Sequence, residues 1–217
     1  MKVHQLAKNN SVLNTFLKEI REINIQKDSM RFRRNIERIG EILSYELSKE
    51  LSYESEEITT VLGNKSSNLI AENLVICSIL RAGLPLHQGI LNYFDSAENA
   101  FISAYRHHPN NDKEFEIKVE YFASPSLEGK TLILADPMLA TGQSLVSVYE
   151  AILKFGKPEK IHLVSVIGAK EGIDFIQDKF PENVTLWIAD VDAVLNNKGY
   201  IVPGLGDAGD LAFGSKL

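Results

Sequence analysis

Apolar positions recur along this chain in three rhythms. Between Asp28 and Leu51, the residues Phe32, Ile36, Ile39, Leu43 and Leu47 return at three- and four-residue steps, which lines them on one face of a helix. Asp28 or Ser29 stands where a side-chain oxygen can cap the first turn. A shorter helix is predicted over about Val12 to Ile23, with Leu13, Phe16, Leu17 and Ile20 as its stripe. No strand is expected between the two helices, so residues 1–52 read as an N-terminal helical layer. From residue 73 the rhythm changes. NLVICSIL (73–80), TLILA (131–135), IHLVSVIG (161–168) and VTLWIA (184–189) are almost continuously apolar. Such runs suit the central strands of a parallel sheet covered on both faces. Between them, SLVSVYEAILKFG puts Leu145, Val148, Ile152 and Phe155 on one helical face with Gly156 to end it, and KEGIDFIQDKF reads as a further helix. Alternation of strand and helix predicts an α/β fold with right-handed crossovers, a central mainly parallel sheet flanked by helices. The third rhythm is AFISAYRHH and EFEIKVEYF around the polar cluster PNNDK, which predicts a β-hairpin flap over 99–123, outside the parallel order.

Length and composition narrow this picture. The 217 residues fit one domain with a substantial core, and no repeat, low-complexity tract or linker interrupts them. Lys and Arg total 23 against 29 Asp and Glu, a net charge of −6, which weighs against a nucleic-acid partner because phosphate-backbone affinity needs a basic face. The N-terminal MKVHQLAKNN lacks the apolar stretch of a signal peptide, and no run approaches the ~20 apolar residues of a membrane helix. Cys77, the one cysteine, lies inside NLVICSIL and reads as a small buried hydrophobe, so a reducing, cytoplasmic location is expected.

The chemistry concentrates in LADPMLATGQS (134–144), at the end of an apolar strand and the start of a helix. Ligands of open α/β sheets bind beyond the C-terminal ends of strands. The first N–H groups of the following helix lack partners and favour an anion. Thr141 and Ser144 add hydroxyl donors, and Gly142 permits a left-handed or close backbone approach. Asp136 would repel a phosphate in direct contact but can accept from two vicinal hydroxyls, so a ribose 5-phosphate fits the pair of subsites. A plain Asx-type turn that starts a helix explains the same residues. Neither a GK[ST] loop nor GxGxxG is present, which removes the commoner nucleotide motifs.

DPMLATGQS resembles the phosphoribosyl pyrophosphate (PRPP) loop of the type I phosphoribosyltransferases, and its single acid followed by PMLATG is similar to the uracil branch of that family. SILRAGLP (78–85) resembles the family's pyrophosphate loop, AYRHH (104–108) the segment carrying a second arginine, and GYIVPGLGDAGD (199–210) the C-terminal uracil-binding segment, here taken as 190–217. The N-terminal helices share the family's FR pair at Phe32 and Arg33. The resemblance implies PRPP binding by Arg81, Arg106, Asp136, Pro137, Met138, Leu139, Ala140, Thr141, Gly142, Gln143, Ser144 and Asp207. It implies uracil binding, largely by main chain, at Ile201, Gly206, Asp207 and Ala208. Arg81, Arg106, Asp136 and Asp207 are the implied catalytic set. Magnesium is implied as a cofactor carried by PRPP, with no metal site from the protein alone. The implied reaction converts uracil and PRPP to UMP and pyrophosphate in pyrimidine salvage. A homo-oligomer, dimer or tetramer, and a GTP effector are implied as well, with no membrane or nucleic-acid partner.

Arg81 follows an apolar strand, so its planar fork is expected at the sheet's C-terminal edge, where it suits phosphate oxygens. Cytosine reverses donor and acceptor on the edge that a uracil site would read, and so leaves polar groups unpaired. Two departures from the family stand out, at Gln143 and Leu211. Gln143 replaces a frequent glycine and would be strained at positive φ. Leu211 stands where relatives carry a basic residue. AKEG (169–172) is expected near the site without a role. The adjacent His107 and His108 read as solvent or partner contacts, and no Cys/His metal spacing occurs. Two other functions fit the same fold. A pyrimidine-responsive RNA-binding regulator would bind RNA in a salt-dependent titration, and a non-catalytic PRPP or nucleotide sensor would release no pyrophosphate with uracil.

Overall fold

The computed structural model describes residues 1–107 and 116–216, and side chains outside 104–120. In chain order the elements are β1 (Lys2–Gln5), α1 (Leu13–Arg21), α2 (Ser29–Ser48), β2 (Tyr53–Thr60), β3 (Gly63–Ile70), β4 (Leu74–Leu80), α3 (Gly83–Leu91) and β5 (Glu98–His107). They continue with β6 (Glu116–Ala123), β7 (Thr131–Ala135), β8 (Met138–Leu139), α4 (Gln143–Ile152), β9 (Lys160–Ala169), α5 (Lys170–Gln177), β10 (Val184–Asp192), β11 (Val194–Leu195), β12 (Ile201–Val202) and α6 (Ala208–Phe213). The main sheet runs β1-β10-β9-β7-β4-β5-β6, with β8 added beside β9. Every pairing in it is parallel except β5 with β6.

The continuous apolar strands supply two cores by simple alternation. In β4, Leu74 and Ile76 face one helical layer while Val75 and Cys77 face the other. In β7 the split is Ile133 and Ala135 against Leu132 and Leu134. The first layer contains α1, α2, α3 and α6. Phe32, Ile36, Ile39, Leu43 and Leu47 of α2 are all buried there, and Asp28 caps the helix by accepting from the Arg31 N–H at 3.0 Å. The second layer contains α4 and α5, with Leu145, Val148, Ile152, Ile173 and Ile176 buried. Cys77 is buried and its thiol is pushed up to about 12 by that burial, which makes it a poor nucleophile.

Three features depart from the expectations. The first residues are not helical. Lys2–Gln5 pair with Thr185–Ile188 as a parallel edge strand, too short to announce itself by period. Second, the hairpin does not stand outside the parallel order. Glu98–Ser103 pair in parallel with Val75–Leu80, Phe101–Ser103 are already paired with β6 on their other side, and beyond a register irregularity at Ser103/Ala104 β5 continues with β6 alone. A ten-residue strand is long enough to serve both purposes. Third, β2 and β3 form a separate two-stranded ribbon, exposed along nearly its whole length, with Val61 and Leu62 fully exposed at its tip. Its alternation is too weak to read, because neither face is buried. The PNNDK turn lies outside the described residues.

The strand starts at the opposite edge from the site are pinned by Glu72. Its carboxylate accepts from Lys160 Nζ and Thr131 Oγ1 at 2.5 Å each and from the Ser52 N–H at 2.6 Å. Burial pushes this carboxyl up, but those three donors outweigh it and hold it at about 2, below its ordinary 4.5. A carboxyl depressed in the folded state contributes stability above its unfolded value and loses it as pH falls through its folded value. Glu72→Gln is therefore expected to cost about 2 kcal/mol at pH 7. Denaturant melts of both proteins between pH 7 and pH 2 should show the gap closing with acid; a gap constant with pH would refute the ionic account.

Candidate active site

Because β4, β7, β9 and β10 run parallel, their C-terminal ends share one edge, and the loops beyond them converge there. A cavity of about 420 Å³ opens at this edge. Three chain segments far apart in sequence line it: Ile79–Ala82 at the end of β4 and just beyond it, Asp136, Met138, Ala140 and Ser144 after β7, and Gly199–Ile201 with Gly206–Gly209 from the C-terminal segment. Lys216 closes the rim. Arg81, Asp136, Met138, Ala140, Ser144, Ile201, Gly206, Asp207 and Ala208, all named from the sequence, thus meet around one space.

The loop after β7 is built in two parts. Asp136 Oδ1 accepts from the Met138 N–H at 3.3 Å, so the Asx turn considered from the sequence is present. It coexists with an exposed face, since Asp136 also lines the cavity. Burial pushes this carboxyl up to about 7, against the weaker pull of the Met138 N–H. Met138 and Leu139 then pair with Ile167 and Gly168 of β9, and Leu139 packs its side chain into the second core. Pro137 is buried beside it, with its carbonyl accepting from Val166 and Ile167. A contact from Leu139 to a ligand would therefore be a main-chain one, whereas Pro137 has no N–H and its carbonyl is already bonded. The remaining turn, Ala140 to Ser144, leads into α4. Gly142 caps the helix at φ +78° and Gln143 is its first residue, so the left-handed angle falls on glycine and not on glutamine. Thr141 Oγ1 accepts from the Gln143 N–H at 3.4 Å.

The AKEG segment has a structural reason to be where it is. Gly172 lies so close to this turn that a Cβ there would sit 1.9 Å from the Ala140 carbonyl oxygen, and a Cβ on Gly142 would lie 2.6 Å from Ile176 Cγ2. Helix α5 therefore backs the turn directly, through bare backbone.

Arg81 is held by the C-terminal segment. Nη2 donates to Asp210 Oδ1 at 2.8 Å and Nη1 to the Gly214 carbonyl at 3.1 Å, while its buried Nε has no partner. An unpaired buried guanidinium donor at a cavity wall suits an anionic ligand. Asp207 caps α6 by accepting from the Asp210 N–H at 3.0 Å. Arg33 donates to the Ala212 carbonyl at 2.6 Å and lies over the Phe213 ring, while Phe32 is core, which gives the FR pair two separate tasks. The peptide bonds Leu80–Arg81 and Val202–Pro203 are cis. Arg106 stands in β5 in register with Ile117; its side chain falls outside the described set, as do the side chain of His107 and all of His108. Sequence reasoning missed Tyr200, Lys216 and Asp210. Asp210 was visible in GDAGD, but only folding shows that it reaches Arg81.

A family model described as uracil phosphoribosyltransferase matches residues 7–215. The uracil phosphoribosyltransferase of Porphyromonas gingivalis is 48% identical over 217 residues, all of both chains. This chain belongs to the uracil phosphoribosyltransferase family. The Thermococcus gammatolerans uracil phosphoribosyltransferase is 40% identical over 204 residues, covering 93% of this chain and 88% of its own. Among solved structures, the AQ2163 protein of Aquifex aeolicus superposes with a TM-score of 0.86 at 34% identity, covering 98% of each chain. A hypoxanthine phosphoribosyltransferase of Staphylococcus aureus, at TM-score 0.51 and 16% identity over 75% of this chain and 76% of its own, shares the fold. The parallel sheet, its flanking helices and the antiparallel hairpin are the type I phosphoribosyltransferase architecture.

Gly172→Ala, by driving a methyl into the Ala140 carbonyl, is expected to destabilise the fold by about 1–3 kcal/mol; urea denaturation measures it, and an unchanged midpoint contradicts the contact. The raised Asp136 carboxyl means that the folded protein holds this proton more tightly than the unfolded chain. Its stabilising effect is full below pH 3.8 and is lost as pH rises through about 7. Asp136→Asn should therefore melt at a higher temperature than wild type at pH 8, with the excess gone at pH 4.

Proposed function

We propose that the protein joins uracil to PRPP, forming UMP and pyrophosphate. The observation that carries this reading is the cavity lined together by Arg81, Asp136, Ser144, Ile201 and Gly206–Ala208. In it the ribose 5-phosphate lies on the Ala140–Ser144 turn, where Thr141, Ser144 and the first N–H groups of α4 donate. Asp136 accepts from the ribose 2- and 3-hydroxyls. Arg81 meets the pyrophosphate with its free Nε and exchanges Asp210 for phosphate oxygens; Arg106 supplies the second guanidinium. Uracil lies against the Ile201, Gly206 and Ala208 main chain, in line with the ribose C1.

The bond from C1 to the pyrophosphate oxygen breaks as the bond from uracil N1 forms, with positive charge developing on the ribose. The N1 proton must leave, and Asp207 is the carboxylate in the base segment that can orient or receive it. Most of the rate enhancement comes from positioning and from stabilising the departing pyrophosphate.

Among the described residues no group of three or more His, Cys, Asp or Glu side chains is placed to hold a metal. The donor set near the cavity, Asp136 and Asp207, suits an ion carried mainly by PRPP oxygens and water, with these carboxylates bonding its waters. Magnesium bound in that way supplies charge neutralisation to the leaving group. Among the described residues, no helix is long and apolar enough to cross a membrane. A cytoplasmic setting is supported by the single buried thiol. The exposed ribbon β2–β3 supports a homo-oligomer, and a GTP effector rests on the family resemblance.

The deciding assay offers PRPP with uracil, cytosine, hypoxanthine or orotate, with and without GTP, and measures pyrophosphate. Turnover with uracil alone is expected; turnover only with a purine would overturn the base assignment. Asp136→Ala should raise the KM for PRPP at least about a hundredfold, the cost of two hydrogen bonds to a charged group. Because the Asp136 carboxyl titrates at about 7, the wild-type KM for PRPP should fall between pH 6 and pH 8. Asp136→Asn should flatten that dependence.

A further inference from the structure

The base segment is anchored to the body of the protein by charge at Gly204. Asp192, the last residue of β10, is buried, and all of its bonds converge on two partners. Its Oδ2 accepts from Arg21 Nη1 at 2.8 Å and from the Gly204 N–H at 3.1 Å, and its Oδ1 accepts from Arg21 Nη2 at 3.1 Å. Arg21, the last residue of α1, completes the grip by donating from Nη1 to the Gly204 carbonyl at 3.0 Å. Its Nη2 also donates to Asp190 Oδ2 at 2.9 Å, and Asp190 is in turn bonded by Gln5 Nε2 at 3.2 Å. Both polar groups of residue 204 are thus held by one ion pair, midway between Ile201 and Gly206–Ala208.

Ile201 and Leu205 bury their side chains in the first core on either side of that peptide, but its own N–H and carbonyl are held by the ion pair. Strand β12 has two residues and pairs with the two-residue β11, and on the far side Arg33 and Arg81 hold only α6 and the residues after it. A site that reads a base with main-chain groups cannot tune them by side-chain identity. It tunes them by where the backbone stands, and a displacement of about 1 Å is enough to break a hydrogen bond or misalign a reacting atom.

We infer that Arg21 and Asp192 are positioning residues that fix the base-reading backbone, and so set affinity for the pyrimidine and not for PRPP. The inference rests on Ile201–Ala208 being the base segment. Neither residue lines the cavity, so their effect passes through Gly204. Arginine is required because its planar fork spans Asp192 and the Gly204 carbonyl together; a lysine ammonium supplies charge without that fork.

The test uses the full chain with steady-state kinetics in both substrates and a thermal melt of each variant. Arg21→Lys and Asp192→Asn are expected to raise the KM for uracil at least about tenfold, the factor for one lost charge-assisted hydrogen bond, while the KM for PRPP stays within about twofold. Asp190→Asn, which leaves both bonds to Gly204 in place, should give a smaller rise of about threefold and covers the case in which the first two variants do not fold. Arg31→Ala removes an α2–α1 ion pair to Glu19 and none of the bonds to Gly204, and should leave both KM values unchanged. A folded Arg21→Lys or Asp192→Asn with wild-type uracil KM, or with both KM values raised alike, overturns the inference. If those two do not fold, an unmoved uracil KM in Asp190→Asn overturns it. Wild-type protein that turns over no uracil would sink the functional reading itself.

Discussion

Parallel pairing of β4, β7, β9 and β10 is the constraint on which the rest depends. In a parallel register every strand ends on the same side, so the residues after Leu80, Ala135 and Asp192 must gather at one edge although they lie far apart in the chain. The register is fixed by two cores at once. A one-residue slip of β7 would exchange Leu132 and Leu134 with Ile133 and Ala135, and put each set against the wrong helical layer. The geometry of the edge is therefore over-determined from below, which allows the loops above it to be open and polar without losing their positions.

Those loops are held through their backbone as well as by packing. Helix α5 presses against the Ala140–Gly142 turn through Gly172, and the C-terminal segment is gripped at Gly204, Asp210, Ala212 and Gly214 by Arg21 of α1, Arg33 of α2 and Arg81 of the loop after β4. Arginine suits this work because one guanidinium satisfies a carboxylate and a carbonyl together. The arrangement also connects the subsites. Arg81, which the proposed chemistry directs to pyrophosphate, rests on the same segment in which base recognition is proposed. Asp136 shows the opposite side of the balance, since its carboxyl is kept where burial opposes its charge. A group placed in this way detracts from the stability of the fold at neutral pH.

The sequence by itself determined the central strands, the α2 stripe with its Asp28 cap, and the end of one strand as the place where Asp136 and a turn of small and hydroxyl residues meet. These are local matters: period, capping chemistry and the identity of the residues beside a turn. It also determined the family, because DPMLATGQS and GYIVPGLGDAGD are long enough to be distinctive. What it left open was decided by contacts between segments. The left-handed angle fell on Gly142 and not Gln143 because the helix begins one residue later than the glycine. Lys2–Gln5 became a strand only because the edge of β10 was there to pair with it, and β5 joined the parallel sheet before leaving it as a hairpin arm. The grips on Arg81 and Gly204 join positions 129 and 183 residues from their partners, and no spacing or period encodes such a pairing. Hydrophobic rhythm tells a residue which face to bury. Which distant backbone a buried charge then takes hold of depends on where the sheet has brought it, and only the tertiary structure supplies that.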